Sequence, residues 1–390
     1  MHRDVSIRIW ILACVICNLC TVHVASAEDP DPGITVRVLN ERGEPVQNAR
    51  AAMFVYRSLK SGERQYRWSG VSDADGFARI PDGLSMVDHR PIYAYDAPSQ
   101  TVAVTRLNPD GPWDPPPALT LSPACVVRGK LTCKDLEERD RPLEWYGAEI
   151  YYDNLRFLQQ SLPPGCSFEF HLPSGNYKLY VNSYPYTHSV TKELKIAPGR
   201  GELIVDSIDL PATKLSLLVG QAAPELEDIA DWKNSEPLRL SDLRGHPVVL
   251  DFWGQWCGPC LYKMPELMKL YDDYKSKGVV VVGVHVDVDK SGGQQLIGST
   301  SALDKSLESI PAELWAGRDI PFPVAISKPR QVAYDERVAD LAPSQTAADY
   351  GVVGFPTIFL IGPDGKVAGS FTGTADDFAS LLKLLDSMLD

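Results

Sequence analysis

Two cysteines two residues apart, in Trp256-Cys257-Gly258-Pro259-Cys260, follow directly on the apolar run Val248-Val249-Leu250-Asp251-Phe252-Trp253. That junction constrains the chain more than any other stretch. A run without polar alternation needs cover on both faces, the condition of a strand inside a helix-covered sheet. Beyond the cysteines, Met264, Leu267, Met268, Tyr271 and Tyr274 recur at helical spacing as far as Gly278. A buried strand therefore hands over to a helix at the cysteine pair. Thiols this close can join in a small disulfide and separate again, and a thiolate at a helix start meets the partial positive charge of unpaired N–H groups, which lowers its pKa. This is the pattern of redox chemistry. Half of a zinc site is the competing reading. It needs two further soft ligands, and the surrounding region offers only His246 and His285, each beside or within an apolar strand.

The grammar around this junction is α/β. Val279 to Val286 is a second wholly apolar strand, a long polar, glycine-containing segment runs from Asp289 to Ser306, and Pro323 to Ser327 is a further strand. The chain ends on strand, turn, strand and helix: Thr357 to Ile361, the turn Pro363-Asp364-Gly365-Lys366, Val367 to Phe371, and Ala375 to Leu389. Alternating elements of this kind imply parallel pairing, and they place an α/β domain over 215–390.

The residues before it read differently. From Glu28 the chain is strand and turn, with Ile34 to Val38 alternating, a strand from Arg50 to Tyr56, and the turn Asp73-Ala74-Asp75-Gly76 leading into Phe77 to Ile80. That acidic turn lacks the further ligands of a calcium loop. A proline-rich stretch from Pro109 to Pro117 leads to a second strand-rich unit, in which Val126 to Leu131, Ala148 to Tyr152, Ser167 to Leu172 and Tyr177 to Val181 alternate. No helical periodicity is visible, and Lys134 to Arg141 reads as a solvated loop. Two β-sandwich domains, 28–119 and 120–214, are expected. Tyr146, Tyr151, Tyr152, Tyr180, Tyr184 and Tyr186 raise the question of an aromatic face for a glycan or peptide, although alternation within strands also accounts for them.

The 390-residue chain carries a formal net charge of −13 and no Lys/Arg cluster, which argues against nucleic acid as a partner. His2, Arg3 and Arg8 precede an apolar run from Ile9 to Val22, and Ala25-Ser26-Ala27 is a small-residue cleavage site, so 1–27 reads as a signal peptide. Export to a periplasmic or cell-envelope location follows, either free or anchored through an uncleaved or lipidated N-terminus. Of eight cysteines, Cys14, Cys17 and Cys20 fall in that segment. Among Cys125, Cys133 and Cys166 the first two are the favoured structural disulfide, being close in sequence.

"SDADGFARIPDGL" resembles carboxypeptidase-regulatory, prealbumin-like sandwiches. "VVLDFWGQWCGPC" and "GFPTIFLIGPDGKV", with "GQAAPEL", resemble the thioredoxin superfamily and its exported TlpA/ResA-like thiol-disulfide oxidoreductases, over about 217–390. The resemblance implies that Cys257 attacks a substrate disulfide and that Cys260 resolves the mixed disulfide. It implies a cis-proline at Pro356, which turns the Phe355 backbone toward an extended substrate segment. Trp256, Gly258 and Pro259 then shape the docking surface. Asp251, a carboxylate within an apolar strand, has a pKa raised by desolvation and suits proton transfer to or from Cys260. The lysine that relatives pair with this carboxylate has no counterpart in Val279 to Val286, and Leu261 stands where thioredoxins often carry lysine.

The Gly-Pro dipeptide matches the reducing thioredoxin end of the potential scale, about −270 mV, rather than the oxidising DsbA end near −120 mV. The expectation is thus a multidomain, exported reductase of protein disulfides. Its working group is the redox-active Cys257–Cys260 disulfide with no other cofactor and no metal, recharged by a membrane-linked thiol-disulfide donor. Two readings from other classes compete. One is a scaffold protein whose β-sandwiches bind a glycan or peptide. The other is a thiol peroxidase, which the absence of a Pro-x-x-x-Thr/Ser-x-x-Cys setting disfavours.

Overall fold

The computed structural model describes residues 33–389 apart from 60, 82–85, 112, 200, 288–295, 334–340 and 374. The expected signal segment, with Cys14, Cys17 and Cys20, lies outside the described residues. Among the described residues no helix is long and apolar enough to cross a membrane.

The first half is built of sixteen strands: β1 (Ile34–Leu39), β2 (Arg50–Arg57), β3 (Arg64–Val71), β4 (Phe77–Ile80), β5 (Ile92–Asp96), β6 (Thr101–Thr105), β7 (Ala118–Thr120), β8 (Ser122–Pro123), β9 (Cys125–Thr132), β10 (Tyr146–Tyr152), β11 (Leu155–Leu162), β12 (Ser167–Leu172), β13 (Gly175–Asn182), β14 (Val190–Ile196), β15 (Gly201–Ile204) and β16 (Ile208–Asp209). They form a nine-stranded sheet, β14-β13-β10-β11-β2-β5-β6-β8 with β3 also on β2, and two smaller sheets, β4-β1-β7 and β12-β9-β15 with β16 on β9. The large sheet runs through both expected units. Strand β2 is the joint: Arg50 to Ala52 pair with β5, and Val55 to Arg57 pair in parallel with Leu158 to Gln160 of β11. One hydrophobic core accordingly holds Ala52, Val55 and Tyr93 together with Tyr146, Phe157 and Phe168, while Val36, Met53 and Ile80 belong to a second. The boundaries expected at 119/120 and 214/215 fall inside β7 and inside the helical turn Lys214–Leu217.

Two expectations fail here. The favoured Cys125–Cys133 pair is not formed: both thiols are buried and free. Cys125 opens the extended strand β9 and Cys133 follows its end. At roughly 3.3 Å per residue they sit some 26 Å apart, far beyond the Cα separation a disulfide spans. The solvated loop contains a helical turn, α1 (Lys134–Glu137), which buries Leu136 in the core. The acidic turn does close as a turn, Asp73 Oδ1 accepting from the N–H groups of Asp75 and Phe77 at 3.0 and 2.9 Å.

Helix α2 (Lys214–Leu217) leads into the second half. Its sheet is β17 (Ile229–Lys233), β18 (Val248–Trp253), β19 (Val280–His285), β20 (Val324–Ser327), β23 (Thr357–Ile361) and β24 (Val367–Phe371), arranged β17-β20-β19-β18-β23-β24, with β21 (Val332–Ala333) and β22 (Leu341–Ala342) as a separate pair. Strands β18, β19 and β20 are parallel, and β17, β23 and β24 run antiparallel to their neighbours. All six side chains of the central β18 are buried, as its lack of alternation demands. Helices α3 (Gly258–Tyr274), α4 (Thr300–Ser306), α5 (Ile310–Leu314), α6 (Gln345–Tyr350) and α7 (Ala375–Asp386) complete this half. One apolar layer holds Val249 and Trp253 with α3 and α7, and the other holds Leu250 and Phe252 with α6.

Candidate active site

The site grows from the exit of β18. Strand alternation sends Val249, Asp251 and Trp253 to one face and Leu250 and Phe252 to the other. Asp251 therefore faces the layer that contains Cys257 and Cys260. After Trp253 the chain turns sharply: the Cys257 N–H donates to the Gly254 carbonyl at 3.0 Å, and the Trp256 indole N–H donates to the Val286 carbonyl at 3.0 Å. Gly254 has no room for a side chain, because a Cβ there would run into the indole and come within 2.8 Å of the Val286 oxygen.

Cys257 is the N-cap of α3, with Pro259 in the first turn, where its missing N–H goes unneeded. The Cys257 Sγ accepts from the Cys260 N–H at 3.3 Å and is bonded to the Cys260 sulfur. Both cysteines are buried, Cys257 at 5% exposure and Cys260 at 1%, so the N-terminal residue is the more open of the two. Gly258 has open space around it. Once the disulfide is reduced, the helix N-terminus favours the thiolate at Cys257.

Asp251 is 1% exposed, and its Oδ1 has no hydrogen-bond partner. Burial pushes its carboxyl up to about 7. Its ladder partner on β19 is Gly283, which supplies no cation. The carboxylate is thus poised to exchange a proton near neutral pH rather than locked in an ion pair. His285, at the end of β19, is fully buried, lies edge-on to Trp253 with ring centres 5.1 Å apart, and bonds through Nε2 to Gln255 Oε1 at 2.8 Å. Desolvation holds it down to about 4, so the neutral ring is a strut for the loop carrying the cysteines. His246 is exposed, with Nδ1 3.0 Å from the Gly278 carbonyl oxygen.

The opposite wall comes from the segment before β23. Thr357 registers with Phe252, which brings 354–356 to the same edge of the sheet as the cysteine loop. The Phe355–Pro356 peptide is cis. The Phe355 ring meets Trp256 edge-on at 5.2 Å, and both pack against the core that includes the two cysteines. Cys257, Cys260, Trp256, Phe355 and Asp251 thereby converge on one end of β18.

Sequence reasoning missed three features of the site. The first is the His285–Gln255 strut. The second is Lys263, buried one turn beyond Cys260, its Nζ 2.7 Å from Glu266 and 4.4 Å from the centre of the Phe378 ring. Its i+3 spacing from Cys260 was the available signal. The third is the placing of Tyr184, raised from the sequence only as one of six tyrosines of a candidate aromatic face: its hydroxyl would collide with a Cβ at Gly354, and no local signal ties it to the redox site. The six tyrosines do not make one face: Tyr146 is core, Tyr152 packs on the core, Tyr151 and Tyr180 pair with each other, and Tyr184 and Tyr186 lie on a turn toward the second half. Among the described residues no cluster of three or more His, Cys, Asp or Glu side chains is arranged to hold a metal.

Comparison with known proteins gives residues 219–370 as a match to the AhpC/TSA family. The thiol-disulfide oxidoreductase ResA of Bacillus subtilis (strain 168) is 33% identical over 179 residues, covering 44% of this chain and 80% of that protein. The ResA of Geobacillus kaustophilus (strain HTA426) is 33% identical over 162 residues, 41% of this chain and 73% of that protein. Among solved structures, a thiol-disulfide isomerase from Corynebacterium glutamicum is 29% identical, with 43% of this chain and 97% of that one aligned at a TM-score of 0.33.

Proposed function

Because the chain belongs to the ResA-like thiol-disulfide oxidoreductases, with a thioredoxin-like domain at its C-terminal end, we propose that it is an exported reductase of protein disulfides. The observation that carries this reading is the Cys257–Cys260 disulfide at the start of α3, with Cys257, the more open residue of the pair, as the helix N-cap. In the reduced enzyme the Cys257 thiolate attacks one sulfur of a substrate disulfide. A Cys257–substrate bond forms and the other substrate sulfur leaves as a thiolate. Cys260 then loses its proton to Asp251 and attacks the Cys257 sulfur, which closes the enzyme disulfide and frees the second substrate thiol. Two electrons have moved to the substrate, and a dithiol donor of the thiol-disulfide relay class, linked to the membrane, returns them.

The reducing direction rests on Gly258-Pro259 between the cysteines. Export rests on the signal-like segment 1–27, and we read the mature chain as a periplasmic or cell-envelope protein, free or N-terminally anchored. The strand-rich half is read as β-sandwich modules in which the nine-stranded sheet is covered by the two smaller ones.

The test is turbidimetric reduction of insulin with dithiothreitol as donor. Wild type is expected to accelerate precipitation, and Cys257→Ser to fall to the rate of dithiothreitol alone. A measured Cys257/Cys260 potential near about −270 mV supports the reductase, and one near about −120 mV turns it into an oxidant. Rapid stoichiometric consumption of hydrogen peroxide by the reduced chain would move the assignment to a peroxidase.

A further inference from the structure

The strand-rich half reaches the redox site through one turn. Between β13 and β14, the chain from Ser183 to Thr187 is held from several sides. The Ser183 N–H donates to Thr187 Oγ1 at 2.8 Å, the Ser183 hydroxyl to the Trp145 carbonyl at 2.8 Å, and the Thr213 hydroxyl to the Pro185 carbonyl at 2.9 Å. The Ser216 hydroxyl donates to the Tyr186 carbonyl at 2.8 Å. Tyr186 packs against both the core of the strand-rich half and the α6-side core of the second half. So rigid a turn positions whatever it displays.

What it displays is Tyr184. Tyr184 is 54% exposed, one of few large apolar side chains left in solvent among the described residues, and its hydroxyl sits against Gly354, which precedes the Phe355 whose ring flanks Trp256. Gly354 has to lack a side chain for this approach. The hydroxyl end of Tyr184 abuts Gly354 while much of the side chain stays in solvent beside the segment that carries the cis Phe355–Pro356 peptide, so an aromatic face is left open there for a partner to cover. Tyr262, in the first turn of α3 after Cys260, is 72% exposed and supplies a second unpartnered aromatic beside the same motif.

Resting on the reductase reading, we propose that Tyr184 is a specificity-determining residue supplied by the strand-rich half, and that it holds the extended polypeptide segment flanking the disulfide of a protein substrate. The occupant follows from the site. The segment 354–356, just before β23 and ending in the cis Phe355–Pro356 peptide, is the wall along which an extended chain would lie, Tyr184 touches that segment at Gly354, and hydroxyethyl disulfide carries no polypeptide to lie there. The strand-rich half is then part of the enzyme's substrate selection and not a separate binding module.

The experiment measures kcat/KM of the full chain for insulin and for hydroxyethyl disulfide, in wild type, Tyr184→Ala and Tyr184→Phe. For Tyr184→Ala the loss on insulin is expected to be about tenfold, the size of one aromatic anchor, and at least fivefold larger than the loss on hydroxyethyl disulfide. Tyr184→Phe should recover most of it. Equal losses on both substrates, or a changed Cys257/Cys260 potential, would make Tyr184 a structural residue and overturn the proposal. So would insulin kinetics that do not change. A wild type that reduces hydroxyethyl disulfide but not insulin defeats the protein-substrate reading itself, a result distinguishable from the others before any variant is made.

Discussion

At the scale of single residues the site holds two buried titratable groups displaced in opposite senses. Asp251 is raised to about 7 and His285 lowered to about 4, each chiefly by burial. Unfolded, they titrate near about 3.9 and 6.5. Between about pH 4 and 7 the folded chain keeps a proton on Asp251 that the unfolded chain releases, so this residue makes stability fall as pH rises through that window. His285 acts the other way: the unfolded chain takes up a proton below about 6.5 that the buried ring refuses, so its contribution is lost as pH falls toward 4. The two slopes oppose each other, and only a difference separates them. For oxidised Asp251→Asn against wild type, the stability gain should grow from pH 4 to 7 and then level at a few kcal/mol. Urea unfolding at several pH values reads this, and a gain independent of pH would exclude a carboxyl raised by desolvation. The same variant should slow insulin turnover most where the carboxylate is ionised, above pH 7. Asp251 was legible because a charge in an apolar run announces itself. The seating of Tyr184 on Gly354 and of Gln255 on His285 was not, since these partners lie 170 and 30 residues apart along the chain.

Among elements, pattern revealed the alternating strands such as β1, β9 and β13 and those buried on two faces. Strands β18 and β19 and helix α3 appear where their sequences place them, and Gly278 stops the helix with a left-handed φ of 86°. The edge strand β17 went unread because Ile229-Ala230-Asp231-Trp232-Lys233 is half polar, and Lys233 is buried only by pairing with Asp304 and Asp319 at 2.6 and 2.9 Å. Helices α4 and α6 are too short to show a periodic stripe. They are fixed instead by Ser299 and Ser344, whose hydroxyls accept from the Ala302 and Ala347 N–H groups. The loop joining β18 to α3 depends on a different device, the empty side-chain position of Gly254 under Trp256. Gly254→Ala should cost about 1–3 kcal/mol, as overpacking does, and unseat the indole from Val286. Tryptophan emission should shift to the red and insulin reduction should fall together with stability. An alanine variant with wild-type emission and activity would show that the loop has slack the structure does not display.

On the scale of the whole molecule, the sequence suggested a string of separate units, because turns and prolines are local while the pairing of β2 with β11 joins residues a hundred positions apart. Val55 shows what that pairing does. It is 6% exposed, registers with Leu158 at 5%, and contributes to a core whose other members come mainly from after residue 120. A carboxylate at this position would be buried in an apolar core, so Val55→Asp should cost several kcal/mol. The informative quantity is where the cost is felt. Were 28–119 an independent sandwich, faster amide exchange would stop near residue 120. A sheet continuous through β2 instead makes exchange rise together in β2, β5, β10 and β11. The second half has its own cores, and Tyr186 is the apolar side chain shared by the core of 120–214 and the core around α6. Protection in β18 and β19 should therefore survive the substitution, and so should reduction of hydroxyethyl disulfide. Insulin reduction, which on the proposal above needs the Ser183–Thr187 turn in place, should decline with the strand-rich half. Exchange confined to β2, β3 and β5 would restore two separable units and leave Tyr184 presented by the second of them alone.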